Sequence, residues 1–385
     1  MRRTPAPDTA ASAGSSTPQR RGRLRPRTGP GGRRGRRWLA AGGGAGLAAV
    51  LLAACSSGPG TPKAATAGSA ATIRTTTTTT SPPPACPLTG APVPGGGAVP
   101  QRPALAVKID NYPTARPQTG LDKADVVFEE PVEGGITRLV AVYQCQDASL
   151  LGPVRSARNI DIGILGQLGR PLLVHVGGIQ PVIADIDASP VVNFDLGAHT
   201  SIITHVPGRH APYDTYTSTA DVWGFYKTRT TTPQPLFAYS AATPAGTPVS
   251  AVSIPFSSYS EVHWHYDPPS RTFQRYYGAT PDHLSTGTQV SAANVVVQVV
   301  HVTYGPWLEN STGGLEVQAN LDDNASGPAM VFRDGVEVTG RWSRTSLGQA
   351  TQFTSASGTA IALQPGATWV ELVPDTIPVA ATPAG

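Results

Sequence analysis

The stretch LLGPVRSAR, residues 150–158, places two arginines directly after an apolar run and a Gly-Pro turn. A helix that begins near Ser156 would present free backbone N–H groups and a partial positive charge beside Arg155 and Arg158. Guanidinium groups bind phosphate or carboxylate through paired hydrogen bonds, so this pattern is typical of an anion-binding corner. The alternative is that the two cations form the basic half of a buried network.

A second charged stretch, EEPVEGGITR, surrounds a Gly-Gly turn at residues 129–138. It supplies Glu129, Glu130, Glu133 and Arg138. Acids beside a tight turn could bind a sugar hydroxyl or a cation. We favour ion pairing with Arg138, Arg155 or Arg158 instead, because buried arginines usually need carboxylate partners.

Two further candidates lie at the ends of apolar runs. Asp110 closes ALAVKID, and His175 precedes the Gly-Gly turn in VHVGG. The carboxyl ends of parallel strands are where open α/β sheets bind ligands. A histidine in an apolar strand is more often a hydrogen-bonded core residue than a base, and we favour that role for His175.

Familiar catalytic signatures are absent from the sequence, which contains no P-loop, G-x-S-x-G, H-E-x-x-H or S-x-x-K motif. The HWH segment places His263 and His265 on one face of a strand, which is half of a zinc site at most. We therefore expect no metal and no cofactor, and the sequence leaves open whether the protein is an enzyme.

The elements that must position these residues change in character along the chain. Strand-like runs such as ADVVFEE, ITRLVAVYQ and PLLVHVGG alternate with the helix-like SARNIDIGILGQLG, IQPVIADI and STADVWGFYKT. This alternation predicts an α/β N-terminal domain at residues 86–230. A linker at 231–249 and a mostly antiparallel all-β C-terminal domain at 250–375 follow, with a disordered tail at 376–385.

The N-terminus has the features of an export signal. Residues 1–54 are rich in arginine and end in an apolar run, and Leu52-Ala53-Ala54-Cys55 resembles the lipobox of bacterial lipoproteins. The resemblance implies cleavage before Cys55 and fatty acylation there, by palmitate or a similar chain. It leaves export by the general or the twin-arginine route open. Residues 55–85, rich in Gly, Pro, Ser and Thr, would form a disordered tether.

The charge of the chain depends on this signal. The whole sequence has 29 basic and 25 acidic side chains, a net charge of +4, but residues 1–54 hold 11 arginines and one acid. The remainder has 18 basic and 24 acidic side chains and is acidic. We therefore expect no nucleic-acid partner.

Two cysteines, Cys86 and Cys145, remain after the signal and the lipidation site. An even pair in an oxidising compartment favours a disulfide bond. The alternative is two free thiols.

Longer motifs carry a family resemblance. RPALAVKIDNYPTARPQTGLDKADVVFEEPVEGGITRLVAVYQ, GPVRSAR, VHVGG, AMVFRDGVEVTGRWSR and GATWVELVP resemble the YerB-like bacterial lipoproteins over about residues 86–374. The resemblance implies an envelope lipoprotein with two consecutive domains of unknown function, α/β and then β. Where that family usually reads PHNLYTS, this chain has PYDTYTS, with Tyr213 in the place of the histidine.

These observations predict an extracytoplasmic protein held at the membrane by a lipid. Our leading hypothesis is that its α/β domain binds an anionic wall-related ligand or a wall-enzyme partner. The alternative is an enzyme that acts on phosphate-linked envelope glycans, by loose analogy with LytR-CpsA-Psr phosphotransferases. Arg155 and Arg158 would then hold a pyrophosphate, and Asp110, Glu129 or Glu133 would position a metal or accept a proton.

Overall fold

The computed structural model describes residues 83–385. The predicted signal peptide, the lipidation site Cys55 and most of the predicted tether therefore lie outside the described residues. Among the helices that the structure describes, none is long and apolar enough to cross a membrane.

Twenty strands and three α-helices make up the described part of the chain. In chain order they are β1 Leu105–Asp110, β2 Val126–Pro131, β3 Thr137–Tyr143, α1 Ile160–Leu165, β4 Leu172–His175, α2 Gln180–Ala188, β5 Val192–Asp195, β6 Thr204–His205, β7 Thr215–Tyr216, α3 Thr219–Gly224, β8 Thr247–Ser257, β9 Ser260–Asp267, β10 Thr272–Tyr277, β11 Thr280–Pro281, β12 Ser291–Ala292, β13 Asn294–Val300, β14 Val302–Leu308, β15 Leu315–Ala319, β16 Ala325–Arg333, β17 Val336–Arg344, β18 Gln352–Ser355, β19 Thr368–Pro374 and β20 Ala380–Pro383. The fold is thus mostly β with few helices.

Sixteen of these strands form one large mixed sheet with the order β11-β10-β9-β8-β17-β16-β13-β19-β2-β3-β1-β4-β5, to which β12, β18 and β20 add at the sides. Strands β1, β4 and β5 run parallel, as do β13, β19 and β2, whereas most other pairs are antiparallel. Because β19 lies between β13 and β2, it joins the two halves of the sequence in a single sheet. The hairpin β14–β15 stands apart as its own two-stranded ribbon.

Both faces of the central strands are buried, which explains their nearly unbroken apolar sequence. Successive side chains of a strand point to opposite faces. In β1, Leu105 and Val107 belong to one hydrophobic cluster and Ala106 belongs to the other. Lys108 lies on the same face as Ala106 and is completely buried.

The β16–β17 hairpin forms as its sequence predicts. Asp334 and Gly335 connect the two strands with φ angles of 54° and 70°. Positive φ at both central residues is the geometry that an Asp-Gly turn supplies.

α1 and α3 are shorter than the sequence pattern predicts, whereas α2 has about the predicted length. α1 begins at Ile160, so the prediction of a helix starting near Ser156 is wrong by four residues. Ser156 lies in extended loop structure, and the carboxylate of Asp161 accepts a 2.8 Å hydrogen bond from the backbone N–H of Arg158. That carboxylate, rather than a serine, satisfies a backbone donor at the start of the helix.

Two segments that were expected to be irregular take part in the fold. The predicted linker 231–249 contains the buried Leu236, and β8 begins within it at Thr247. The predicted disordered tail 376–385 contains β20, which pairs with β8. Apolar residues in both segments pack against strands that are distant in sequence, and composition alone does not reveal that packing.

A disulfide bond joins Cys86 to Cys145 directly after β3, with Cα atoms 5.9 Å apart. Asp125 lies beside this bond and is 1% exposed. Its Oδ2 accepts hydrogen bonds from the backbone N–H groups of Gln144 (2.6 Å) and Cys145 (3.0 Å). Burial raises the pKa of Asp125 to about 6, although these two hydrogen bonds act in the opposite direction.

Asp125 should therefore make stability depend on pH. Its raised pKa means that the folded state binds the proton more tightly than the unfolded state, so the stability present below pH 4 is lost as the pH rises through 6. The loss amounts to about 3 kcal/mol. We expect Asp125→Asn to remove it, as measured by urea unfolding at pH 4 and pH 7. Asp122→Asn, at an exposed neighbour, is the control, and an unchanged pH profile in Asp125→Asn would contradict the assignment.

Candidate functional site

An open cleft of about 410 Å³ lies where the turn after β2 meets the segment 155–158. Both halves of the sequence contribute to it. We call it the arginine cleft; its lining includes Tyr112, Glu133, Arg138, Arg155, Ser156, Arg158, Tyr259, Glu309 and Asn310. The structure thus brings all three predicted arginines together with two predicted acids, Glu133 in the lining and Asp110 beside Arg155.

Arg158 is fully engaged by protein groups at the floor of this cleft. Its Nε and Nη2 donate to the two carboxylate oxygens of Glu133 at 2.9 and 2.5 Å, and Nη1 donates to the Ala157 carbonyl at 2.8 Å. The carboxylate of Glu309 lies 3.3 Å from Nη1. Burial alone would raise the pKa of Glu133, but hydrogen bonds from Arg158 and the charges of Arg138 and Arg158 hold it at about 2.

Arg138 is also buried and lies between the other two arginines. Its Nη1 donates to the Ser156 carbonyl at 3.0 Å, and its Nη2 lies 3.4 Å from Glu133. Its Nε has no hydrogen-bond partner among residues 83–385. Burial and the positive charge of Arg158 lower the pKa of Arg138 to about 10.

Arg155 differs from the other two because its side chain is 31% exposed. Its Nε lies 2.7 Å from Oδ2 of Asp110, whose Oδ1 accepts a hydrogen bond from the backbone N–H of Tyr112 at 2.8 Å. In the part of the chain that the structure describes, the terminal Nη atoms of Arg155 have no acceptor. Its guanidinium is therefore the one of the three that is free to bind a ligand.

A buried lysine lies behind the arginine cleft. Lys108 Nζ is 2.6 Å from Oδ1 of Asp161 and also contacts Glu130. Burial lowers the pKa of Lys108 to about 8, against the opposing effect of Asp161. Since Asp161 also accepts the backbone N–H of Arg158, this ion-pair group holds the 155–158 segment against β1.

Two tyrosines from different halves of the sequence form one side of the arginine cleft. The rings of Tyr112 and Tyr259 lie 5.4 Å apart, and Tyr259 is 43% exposed. Arg116 donates a 2.9 Å hydrogen bond to the carbonyl of Tyr259 and fixes the β8–β9 turn in this position. The cleft thus combines a free guanidinium with an aromatic surface.

Glu129 does not belong to this cleft. It points to the opposite face of β2 from Glu130, as strand alternation requires. There Arg275 donates to Glu129 at 2.5 Å and to Asp282 at 2.7 Å. The proposed pairing of Glu129 with Arg138, Arg155 or Arg158 is therefore wrong.

Glu371 completes this second group, which we call the Arg275 network and which comprises Arg275, Glu129, Asp282 and Glu371. In β19, Glu371 is the register partner of Glu129, and its Oε1 accepts a 2.8 Å hydrogen bond from Trp264. Burial and the charge of Glu129 raise the pKa of Glu371 well above its usual range. Both influences favour the neutral form of the Glu371 carboxyl group.

His175 lies at the end of β4, outside the arginine cleft, and is completely buried. Its ring nitrogens lie 2.9 Å from the Gly177 carbonyl and 2.6 Å from Oδ1 of Asn193. Both nitrogens are thus occupied by structural contacts. Within residues 83–385, no group of three or more His, Cys, Asp or Glu side chains is arranged to hold a metal ion.

Two family models match this chain. The N-terminal domain of the DUF3048 proteins of unknown function matches residues 88–232, and the C-terminal domain of the same proteins matches residues 252–370. Together they span more than half of the chain. The chain belongs to the DUF3048 family.

This chain is similar to a protein from Bacillus subtilis strain 168 that is named "Putative lipoprotein YerB". It is 28% identical to this chain over 291 residues, which are 72% of this chain and 83% of the relative. The crystal structure of the YerB protein from Bacillus subtilis has the same fold, with a TM-score of 0.64 and 22% sequence identity. The similarity covers 77% of this chain and 99% of that structure.

Sequence reasoning missed several residues in and behind the arginine cleft. The role of Lys108 could have been predicted from the sequence. A single lysine within the apolar run ALAVKID is expected to be buried, and a buried lysine needs carboxylate partners. No sequence pattern predicts that Tyr112, Tyr259 and Glu309 belong to the site, since only the folded chain brings them together. Tyr213 lies near this group, and burial, reinforced by the charge of Asp110, raises the pKa of its hydroxyl.

Proposed function

We propose that the protein is a lipid-anchored, extracytoplasmic binding protein whose arginine cleft holds an anionic wall-related ligand. The lipobox-like sequence ending in Cys55 supports the anchor, as does the name of the Bacillus subtilis relative. The lipid would attach the protein to the membrane and keep the arginine cleft close to the polymers of the cell envelope.

One observation carries the binding proposal, namely the free guanidinium of Arg155. Arg158 and Arg138 are held by protein acceptors, whereas Arg155 lines the open cleft and its terminal nitrogens have no acceptor among residues 83–385. A guanidinium whose two donors point the same way binds a phosphate or carboxylate through two hydrogen bonds. Asp110 forms an ion pair with Arg155 at its Nε, without hydrogen-bond geometry, and leaves the two terminal nitrogens available.

The tyrosine pair supports a sugar beside the anionic group. An aromatic ring offers an apolar face that packs against the C–H face of a sugar, with a hydroxyl at its edge for hydrogen bonding. Tyr112 and Tyr259 lie in the same cleft as Arg155. A sugar that carries a phosphate or carboxylate would therefore use both features at once.

The enzyme hypothesis has less support from these positions. It requires Asp110, Glu129 or Glu133 to position a metal ion or to accept a proton in the reaction. Glu129 is on the other face of the sheet with Arg275, and Glu133 is bound to Arg158. Asp110 is held by Arg155 and the backbone of Tyr112.

N-acetylglucosamine 1-phosphate tests the binding proposal, with N-acetylglucosamine as its neutral counterpart. We expect the phosphate form to bind more tightly. Arg155→Ala should weaken its binding about tenfold or more and leave the neutral sugar unaffected, since a charge-assisted hydrogen bond contributes about 1.5–3 kcal/mol. Isothermal titration calorimetry measures both affinities.

Arg341 provides the matched control. It is exposed on β17, which three strands separate from β2 in the sheet. Arg341→Ala should bind both probes as the wild type does. Equal binding of the phosphate probe by Arg155→Ala and the wild type would contradict the proposal.

A further inference from the structure

A second cavity, of about 310 Å³, adjoins the arginine cleft. The two share Glu133, Gly134 and Ile136, so the turn after β2 forms the wall between them. In contrast to the arginine cleft, this second cavity exposes more apolar than polar surface, although Glu133, Thr137, Asp375 and Thr376 also line it. We call it the apolar cavity; its apolar lining includes Val132, Phe256, Tyr304, Leu315, Val317 and Ile377.

The β14–β15 hairpin runs along both cavities. Its strands supply Tyr304 and Leu315 to the apolar cavity, and the residues after β14, Glu309 and Asn310, line the arginine cleft. The side chain of Glu309 is 1% exposed and lies 3.3 Å from Arg158, which fixes this end of the hairpin to the arginine cleft. One element thus connects a charged site to an apolar one.

The apolar side of this arrangement is open to solvent. Tyr304 is 66% exposed and Leu315 is 41% exposed, although both line a cavity. Exposed apolar side chains that cluster at a concave surface mark a place where apolar ligands bind. Burial of a hydrocarbon chain against them would be favourable by about 25 cal/mol for each Å² removed from water.

We propose that the two cavities together bind a single-chain anionic amphiphile, in which one hydrocarbon chain is joined through a phosphate to a polar head such as a sugar. The inference rests on the proposed function of the arginine cleft. The phosphate binds Arg155, the polar head lies against Tyr112 and Tyr259, and the chain enters the apolar cavity along the hairpin. Arg155 at one end matches the phosphate of such a ligand, and the apolar cavity at the other end matches its hydrocarbon chain. A free glycan has no apolar chain to fill that cavity.

Titrations of the full chain with three probes measure the contributions of the phosphate and of the hydrocarbon chain to affinity. The probes are farnesyl phosphate, farnesol and inorganic phosphate, each below its aggregation concentration. We expect farnesyl phosphate to bind at least about tenfold more tightly than inorganic phosphate, which corresponds to burial of about two methylene groups. Arg155→Ala should weaken the binding of both phosphates. Tyr304→Ser combined with Leu315→Ser should weaken farnesyl phosphate and farnesol and leave inorganic phosphate unchanged.

The same hairpin offers a matched control. Trp307 and Leu308 are exposed apolar residues of β14 that line neither cavity. Trp307→Ser combined with Leu308→Ser should retain wild-type affinity for farnesyl phosphate. An equal loss in this control would mean that the hairpin is a general apolar surface, such as one that enters a bilayer, and would overturn the proposal.

The outcomes also distinguish the two proposals. If farnesyl phosphate and inorganic phosphate bind equally and both depend on Arg155, the amphiphile proposal fails while the anionic cleft stands. If neither phosphate depends on Arg155, both proposals fail.

Discussion

Replacement of Arg158 with alanine is expected to lower the free energy of unfolding by about 3–5 kcal/mol. The guanidinium is 3% exposed and holds both oxygens of the buried Glu133. Without it, Glu133 would keep only the 3.4 Å contact with Arg138, and Glu309 would lose its nearest cation. A buried carboxylate without a partner costs far more than the loss of the same pair at the surface.

Urea unfolding at pH 7 measures this effect, and Arg155→Ala is the comparison. Arg155 lies three residues away in the same cleft, and its side chain is partly exposed. Its replacement would leave the buried Asp110 with the backbone N–H of Tyr112, so we expect a smaller loss, of about 1–3 kcal/mol. The two variants together separate a structural arginine from a ligand-binding one. A small loss in Arg158→Ala would show that its ion pairs do not hold the 155–158 segment in place.

The Arg275 network gives the second large expected effect. Arg275→Met should lower the free energy of unfolding by about 3–5 kcal/mol, because Glu129 and Asp282 would remain buried without a cation or would have to bind protons. All three side chains are at most 4% exposed. The loss should be smaller at pH 5 than at pH 7, since protonation of the carboxyl groups is easier at the lower pH.

Glu371→Gln is the matched substitution in the same network. Glutamine keeps the oxygen that accepts from Trp264 and replaces the second oxygen with an N–H donor. Because burial and the charge of Glu129 favour the neutral form of Glu371, we expect a change of about 1 kcal/mol or less at pH 7, measured by the same urea unfolding. A loss as large as that of Arg275→Met would mean that Glu371 carries a charge and would contradict its raised pKa.

Local pattern predicted much of this fold. The apolar runs at β1, β2, β3 and β4 are strands, and the Asp-Gly turn forms the β16–β17 hairpin. Alternation within β2 was enough to send Glu129 and Glu130 to opposite faces of the sheet. The partners of Glu129 were not readable, because Glu371 reaches it through the pairing of β2 with β19 and Arg275 reaches it from β10, more than 140 residues later in the sequence.

The arginine cleft was predicted in part for the same reason. Arg138, Arg155, Arg158 and Glu133 are close in sequence, and they do meet. Sequence spacing could not tell which guanidinium stays free, since that depends on where Asp110 and Glu309 come to lie. Tyr259 and the β14–β15 hairpin enter from the second half of the sequence, more than 100 residues away.

The position of β19 has a consequence for the order in which the chain folds. Val126 of β2 pairs with Thr368 of β19, and until that pairing forms one edge of β2 has no neighbour. As a chain is synthesised from its N-terminus, strands β1 to β5 can pair early. The free edge of β2 can pair only after β19, residues 368–374, has been made. Contacts of such long sequence separation form slowly. An unfinished or shortened chain would therefore present an apolar strand edge, which is the kind of surface that promotes aggregation.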